Sequence, residues 1–135
     1  GAPPPVDLKL ERKTGDFVRD LIEAGELTCV HDLSDGGLIG AAADIALASD
    51  VGITLDPTME HPHAFLFGED QARYVIVTAE PAAILHRARE AGLAATVVGK
   101  AGGADFSAGD LFSIPVAHLR EWHEGWMPGW LNSAA

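Results

Sequence analysis

Residues 27–38 read Leu-Thr-Cys-Val-His-Asp-Leu-Ser-Asp-Gly-Gly-Leu. Residues 27–31 are mostly apolar and β-compatible, which predicts a short strand. Residues 32–37 favour turns and helix caps, so the strand is expected to end there. The alanine-rich run at 38–49 predicts a helix whose small side chains allow close packing against a sheet. A strand, a glycine-containing loop and a helix are therefore expected in succession.

The residues that follow extend this pattern. Apolar periodicity and chain breakers predict strands at 53–55, 73–78 and 95–98, and a helix at 81–91. The order β-α-β-β-α-β is typical of a ferredoxin-like sheet. We therefore predict an α/β (α+β) fold with an antiparallel or mixed sheet and both inner helices on one face.

Segments outside this core are expected to cover its other face or an edge. Helices are predicted at 14–24 and 117–125, and an edge strand at 111–116. The run 73–78 is apolar on both faces, which predicts a central strand. Residues 126–130 are expected to form a tail whose two tryptophans pack onto the body.

The domain organisation expected from the sequence is simple. Three consecutive prolines predict an extended linker over residues 1–8, followed by a single domain over 9–135. Residues 56–70 are expected to form a functional loop with a short helical turn at 64–67. A chain that opens on a linker is expected to be the last part of a longer protein.

The charge balance excludes whole classes of partner. The chain has 135 residues, 20 of them acidic and 9 basic, for a formal net charge of −11. Such a charge repels nucleic acid and anionic membrane surfaces. The single cysteine, Cys29, cannot form an internal disulfide, which favours a reducing compartment and predicts a cytoplasmic protein.

The loop between the first strand and the second helix is the first candidate for ligand binding. Backbone N–H groups and the positive end of a helix dipole suit a phosphate, and Gly36 and Gly37 permit close approach. Asp32 and Asp35 oppose a bare phosphate, although Mg²⁺ held by either carboxylate would reconcile the two. The alternative is that Ser34 or Asp35 merely caps the helix, and spacing alone favours capping.

Glu69 is the second candidate, as a residue that orients a substrate or metal at the rim of the sheet. Its alternative is a surface ion pair with Arg73 four residues later, which the spacing alone favours. The histidine spacings do not predict a metal site, because His118 and His123 lie five residues apart. No residue is assigned as a catalytic acid or base.

Three motifs carry a family resemblance. Thr-Gly-Asp-Phe-Val at 14–18, Cys-Val-His-Asp-Leu-Ser-Asp-Gly-Gly-Leu at 29–38 and Leu-Phe-Gly-Glu-Asp-Gln-Ala-Arg-Tyr at 66–74 resemble the C-terminal domain of the phosphoribosylformylglycinamidine synthases. Where relatives often carry glycine after the glutamine, this chain has Ala72. The resemblance implies the fold of the aminoimidazole ribonucleotide synthetase C-terminal domain.

The resemblance also implies an activity and partners. The family uses ATP and Mg²⁺ to phosphorylate the amide oxygen of formylglycinamide ribonucleotide, and ammonia from a glutaminase then displaces the phosphate. The N-terminal domains hold the catalytic histidine and most nucleotide and metal ligands, so this domain alone is expected to be inactive. The loop at 32–37 would face the cleft toward the ATP-site domain.

Two other functions stay open on the residues alone. One is a non-catalytic ferredoxin-like module that binds another protein or a small effector. The other is the C-terminal domain of a different ATP-dependent synthetase or kinase of the same superfamily.

Overall fold

The computed structural model describes residues 5–56 and 61–133. These residues form five helices and six strands, which confirms the predicted mixed fold class. In chain order the elements are α1 (Leu8–Glu23), β1 (Cys29–Asp32), α2 (Gly37–Ser49), β2 (Ile53–Leu55), α3 (Pro62–Phe67), β3 (Tyr74–Val77), α4 (Pro81–Glu90), β4 (Gly99–Ala101), β5 (Asp105–Ala108), β6 (Phe112–Pro115) and α5 (Val116–Ser133). Within the described residues no helix is both long and apolar enough to cross a membrane.

The strands divide between two sheets rather than forming one ferredoxin-like sheet. One compact unit comprises residues 1–42 and 58–98, and the other comprises 43–57 and 99–135. The first unit contains β1 and β3, which pair antiparallel with Val30 opposite Ile76. The second contains a four-stranded sheet in the order β4-β2-β5-β6. Each unit therefore has its own sheet.

The strand predicted at 95–98 is absent from the described structure, and β4 forms just after it. A side chain at Gly99 would collide with the carbonyl oxygen of Thr54, so the two backbones meet there at very close range. Only glycine permits this approach, so β4 begins its pairing with β2 at Gly99, opposite Leu55. The strand β5, missed from the sequence, is four residues long and pairs parallel with β2.

The first helix begins six residues earlier than predicted, at Leu8. Asp7 caps it, because its carboxylate accepts hydrogen bonds from the N–H groups of Lys9 and Leu10. The buried side chains Val18 and Leu21 lie in its C-terminal half. The apolar periodicity of the sequence therefore predicted only this half of the helix, where side chains are buried. The predicted linker at 1–8 lies partly outside the described residues.

The prediction of a buried central strand at 73–78 is wrong in its burial. Tyr74 is exposed and the other three residues of β3 are half-buried. Among the described residues β3 pairs only with β1, so one edge of the strand lacks a partner strand. A two-stranded sheet of this kind depends on packing against helices for its stability.

Buried apolar side chains supply that packing within each unit. In the first unit the buried side chains include Leu21, Leu33, Leu38, Leu66, Ile84 and Ala88. In the second they include Ile45, Ala46, Ile53, Leu55, Phe106, Ala108 and Val116. The edge position predicted for the strand at 111–116 is confirmed, because β6 is the last strand of its sheet and pairs only with β5 among the described residues.

Arg120 ties α5 to the end of α2 within the second unit. Its guanidinium donates to the carbonyl oxygen of Leu47 and to Glu124 Oε1, the latter at 2.8 Å. The hydrogen bond to Glu124 raises the pKa of Arg120 above its ordinary value. A cation at this place also suits the negative end of the α2 dipole.

The C-terminal helix is twice as long as the predicted one, and its tryptophans do not pack onto the body. It runs to Ser133 through Pro128, where a tail was expected. Trp122, Trp126 and Trp130 are 60%, 64% and 57% exposed. Their spacing of four residues places them along one side of the helix, where they remain in solvent.

All three tryptophans lie on α5, so tryptophan fluorescence reports on this helix alone. We expect a red-shifted emission in the native chain, strong quenching by acrylamide, and little further shift when the chain unfolds. The control is Trp126→Phe, which should lower the intensity without moving the emission maximum. A blue-shifted native spectrum that moves to the red on unfolding would show that the helix is packed.

Candidate functional site

The pairing of β1 with β3 brings the two longest sequence motifs together. Asp32 at the end of β1 lies opposite Tyr74 at the start of β3. The ladder continues one step further, because the N–H of Leu33 donates to the carbonyl oxygen of Arg73 at 3.0 Å. The loop that follows β1 and the turn that precedes β3 therefore lie side by side.

Two consecutive glycines form the turn that starts α2. Gly36 and Gly37 have φ angles of +80° and +63°, in the left-handed region that other residues rarely adopt. A Cβ at position 37 would stand 2.8 Å from the carbonyl oxygen of Gly68 and 3.0 Å from that of Leu66. Glycine at 37 is therefore required both by its backbone conformation and by the segment packed against it.

Glu69 reaches this turn from the neighbouring segment. Its Oε1 atom accepts a hydrogen bond of 2.9 Å from the backbone N–H of Gly36. The alternative expected from the sequence, an ion pair between Glu69 and Arg73, is wrong. Arg73 instead donates to the carbonyl oxygen of Gly68 at 3.1 Å and lies 3.5 Å from Asp70 Oδ2.

The local backbone explains why Glu69 and Arg73 do not form an ion pair. Residues 69–73 are not helical, and Ala72 has a φ angle of +62°. The reversal of the chain at Ala72 removes the helical geometry that would bring residues four apart onto one face.

The capping alternative for the loop is also wrong. Neither Ser34 nor Asp35 makes a side-chain hydrogen bond to another described residue, and both are exposed. The backbone closes the turn instead, through a bond of 3.1 Å from the N–H of Gly37 to the carbonyl oxygen of Ser34. Both side chains are therefore available to a ligand.

Four of the six predicted site residues line one open cleft of about 280 Å³. The lining side chains are Glu11, Asp32, Leu33, Ser34, Asp35, Glu69, Gln71, Ala72, Arg73 and Tyr74. Gly36 lies beside the cleft through its bond to Glu69, and Gly37 is buried behind it. Glu11, Gln71 and Tyr74 were missed, because only the strand register and the position of α1 bring them here.

The cleft is acidic. Four carboxylates line it, against the single guanidinium of Arg73. Hard carboxylate oxygens suit Mg²⁺, yet no group of three or more His, Cys, Asp or Glu residues within 5–56 and 61–133 has the geometry of a metal site. The metal role considered for Asp32 or Asp35 stays a prediction.

Comparison with known proteins assigns the family. The family model described as "AIR synthase related protein, C-terminal domain" matches residues 1–110. The chain belongs to this family. The strand β6 and the helix α5 lie beyond the matched range.

Curated relatives of this AIR synthase related domain are PurL subunits. The chain is 59% identical over 98% of its length to phosphoribosylformylglycinamidine synthase subunit PurL of Caulobacter vibrioides. It is 48% identical, also over 98% of its length, to the PurL subunit of Rhizobium meliloti. These matches confirm the resemblance seen in the motifs. The chain spans 18% of the length of each relative.

Solved structures confirm the fold of the AIR synthase related domain. Phosphoribosylformylglycinamidine synthase II of Thermotoga maritima matches 86% of this chain and 22% of its own, with a TM-score of 0.72 and 21% identity. The T. maritima PurL complexed with FGAR matches 81% of this chain and 20% of its own, with a TM-score of 0.67 and 22% identity. At these identities the comparison speaks for the fold alone.

Gly37→Ala tests the contact between the two motifs. We expect it to lower the free energy of unfolding by about 3 kcal/mol, because the new Cβ adds backbone overlap to left-handed strain. Gly25→Ala is the matched control, since Gly25 has a φ of +69° but open space around its Cβ position. It should cost about 1 kcal/mol. Equal losses in urea unfolding would contradict the close contact.

Ala72→Gly should stabilise the chain. Glycine adopts the φ of +62° without strain, and this relief outweighs the added freedom of the unfolded chain. We expect a gain of up to about 1 kcal/mol in the free energy of unfolding. Ala83→Gly, at an exposed position in α4, should instead destabilise by about 1 kcal/mol or less. Destabilisation by both variants would show that Ala72 is unstrained.

Proposed function

We propose that this chain is the C-terminal domain of a phosphoribosylformylglycinamidine synthase, an amidoligase of de novo purine biosynthesis. The identity of 59% to the C. vibrioides PurL subunit over 98% of the chain carries the proposal. In the proposed reaction ATP phosphorylates the amide oxygen of formylglycinamide ribonucleotide. Ammonia derived from glutamine then attacks the amide carbon, phosphate leaves, and the amidine forms.

The role proposed for this domain is to shape the substrate cleft. Asp32, Ser34 and Asp35 would contact the phosphate-bearing substrate, with the backbone of Gly36 and Gly37 behind them. Glu69 forms part of the same wall. The exposure of Ser34 and Asp35 and their lack of partners among the described residues support this role.

ATP and Mg²⁺ are proposed for the longer enzyme and not for this chain. Complexes of T. maritima PurL with ATP and with AMPPCP support the use of ATP. Because the cleft is acidic, any phosphate that enters it would need positive charge from Mg²⁺ or from basic groups of other domains. No step of the reaction is assigned to a group of this chain.

The proposed partners are the remaining domains of the enzyme, a glutaminase that supplies ammonia, and the ribonucleotide substrate. A T. maritima assembly named PurLQS includes a match to this fold, which supports partner subunits. Neither a nucleic acid nor a membrane is proposed as a partner, and a cytoplasmic location is proposed from the reducing compartment indicated by the single cysteine.

The test is reconstitution with the rest of a relative. The chain alone should form no amidine from formylglycinamide ribonucleotide, ATP, Mg²⁺ and ammonia. Mixing it with C. vibrioides PurL that lacks the matching segment should restore ATP-dependent amidine formation. The control is the same mixture with the Gly37→Ala chain, which should restore less. A mixture that associates, contains folded chain and stays inactive would refute the proposal.

A further inference from the structure

The hydrogen bond between Glu69 and Gly36 joins residues that are 33 positions apart in the sequence. Gly36 immediately precedes α2, so its N–H lies at the start of that helix. In a capping box, a Glu or Gln three residues after the N-cap reaches back to the N-cap N–H. Helix α2 contains no Glu or Gln that could make this contact. Glu69 makes the missing contact from a different segment.

The turn needs such support more than an ordinary helix start does. Two adjacent glycines lose a large amount of conformational freedom when both are fixed in the left-handed region. Gly36 has no side chain to cap the helix, and Ser34 and Asp35 do not supply one. A carboxylate near the N-terminus of α2 is also favoured by the helix dipole.

We propose that Glu69 is a positioning residue that fixes the Gly36–Gly37 turn and, through it, the two side chains that precede the turn. Its Oε1 atom holds the Gly36 N–H in place, which sets the direction in which Ser34 and Asp35 enter the cleft. The competing role is a direct contact of the Glu69 carboxylate with substrate or Mg²⁺. The catalytic consequence rests on the proposed function, whereas the structural link does not.

Two substitutions of Glu69 distinguish the effect of side-chain length from the effect of its negative charge. Glu69→Gln keeps an oxygen at the same reach and removes the charge, while Glu69→Asp keeps the charge and shortens the side chain by one methylene. Asp70→Asn is the matched control, because Asp70 is the adjacent carboxylate and contacts Arg73 instead of the turn. Both positions are exposed, so the three variants should fold.

The first measurement is amide hydrogen exchange of Gly36 in the chain itself, followed by NMR. Glu69→Asp should speed this exchange about fivefold or more, because the acceptor no longer reaches the N–H. Glu69→Gln and Asp70→Asn should change it less than twofold. Unchanged Gly36 exchange in Glu69→Asp would overturn the proposal, whatever the activity of the reconstituted enzyme.

The second measurement is the kinetics of the reconstituted enzyme. Glu69→Asp should raise the KM for the ribonucleotide several-fold with a smaller effect on kcat. Glu69→Gln should keep a KM close to that of the unsubstituted chain. Simple unfolding would reduce the active fraction and leave KM unchanged. If Glu69→Gln is damaged more than Glu69→Asp, the charge is needed, and a direct contact with substrate or Mg²⁺ replaces the positioning role.

Discussion

The close approach of Gly37 to the backbone of residues 66–68 is the constraint on which the candidate site depends. A Cβ at this position would stand 2.8 Å from backbone atoms of Gly68 and Phe67. Backbone atoms cannot move aside as the end of a flexible side chain can, so the two segments fix each other. The loop after β1 and the turn before β3 therefore act as one structural unit, although about 30 residues separate them in sequence.

Left-handed backbone occurs at several residues of this unit. Gly36 and Gly37 start α2 in the left-handed region, and Ala72, which lines the cleft, has a left-handed φ without the freedom of glycine. A left-handed alanine persists only where its surroundings over-determine it. Here the ladder bond from Leu33 to Arg73 and the contacts of the Arg73 side chain with Gly68 and Asp70 hold the turn in place. Strain of this kind commonly accompanies ligand-binding surfaces.

Local signals in the sequence predicted the elements well, and non-local pairings escaped them. The strand Ile53–Leu55 lies where it was predicted, and α4 starts at the predicted Pro81, because breakers and caps next to these segments set their bounds. The division into two sheets depends on which strands meet, and a one-dimensional pattern does not encode that choice. Glu69 shows the same limit within the site. Its spacing to Arg73 suggested a helical pair, but the partner it binds is Gly36.

The charge of the cleft completes the physical account of the site. Glu11, Asp32, Asp35 and Glu69 line it with only Arg73 in opposition, so its electrostatic potential disfavours a free anion. The Glu69 carboxylate accepts a hydrogen bond from the Gly36 N–H, and the Arg73 guanidinium donates to Gly68 and Asp70. Each charged group is therefore already partly engaged within the chain. On the proposed function, this chain supplies the shape of one wall, and Mg²⁺ or basic groups of other domains would supply the positive charge.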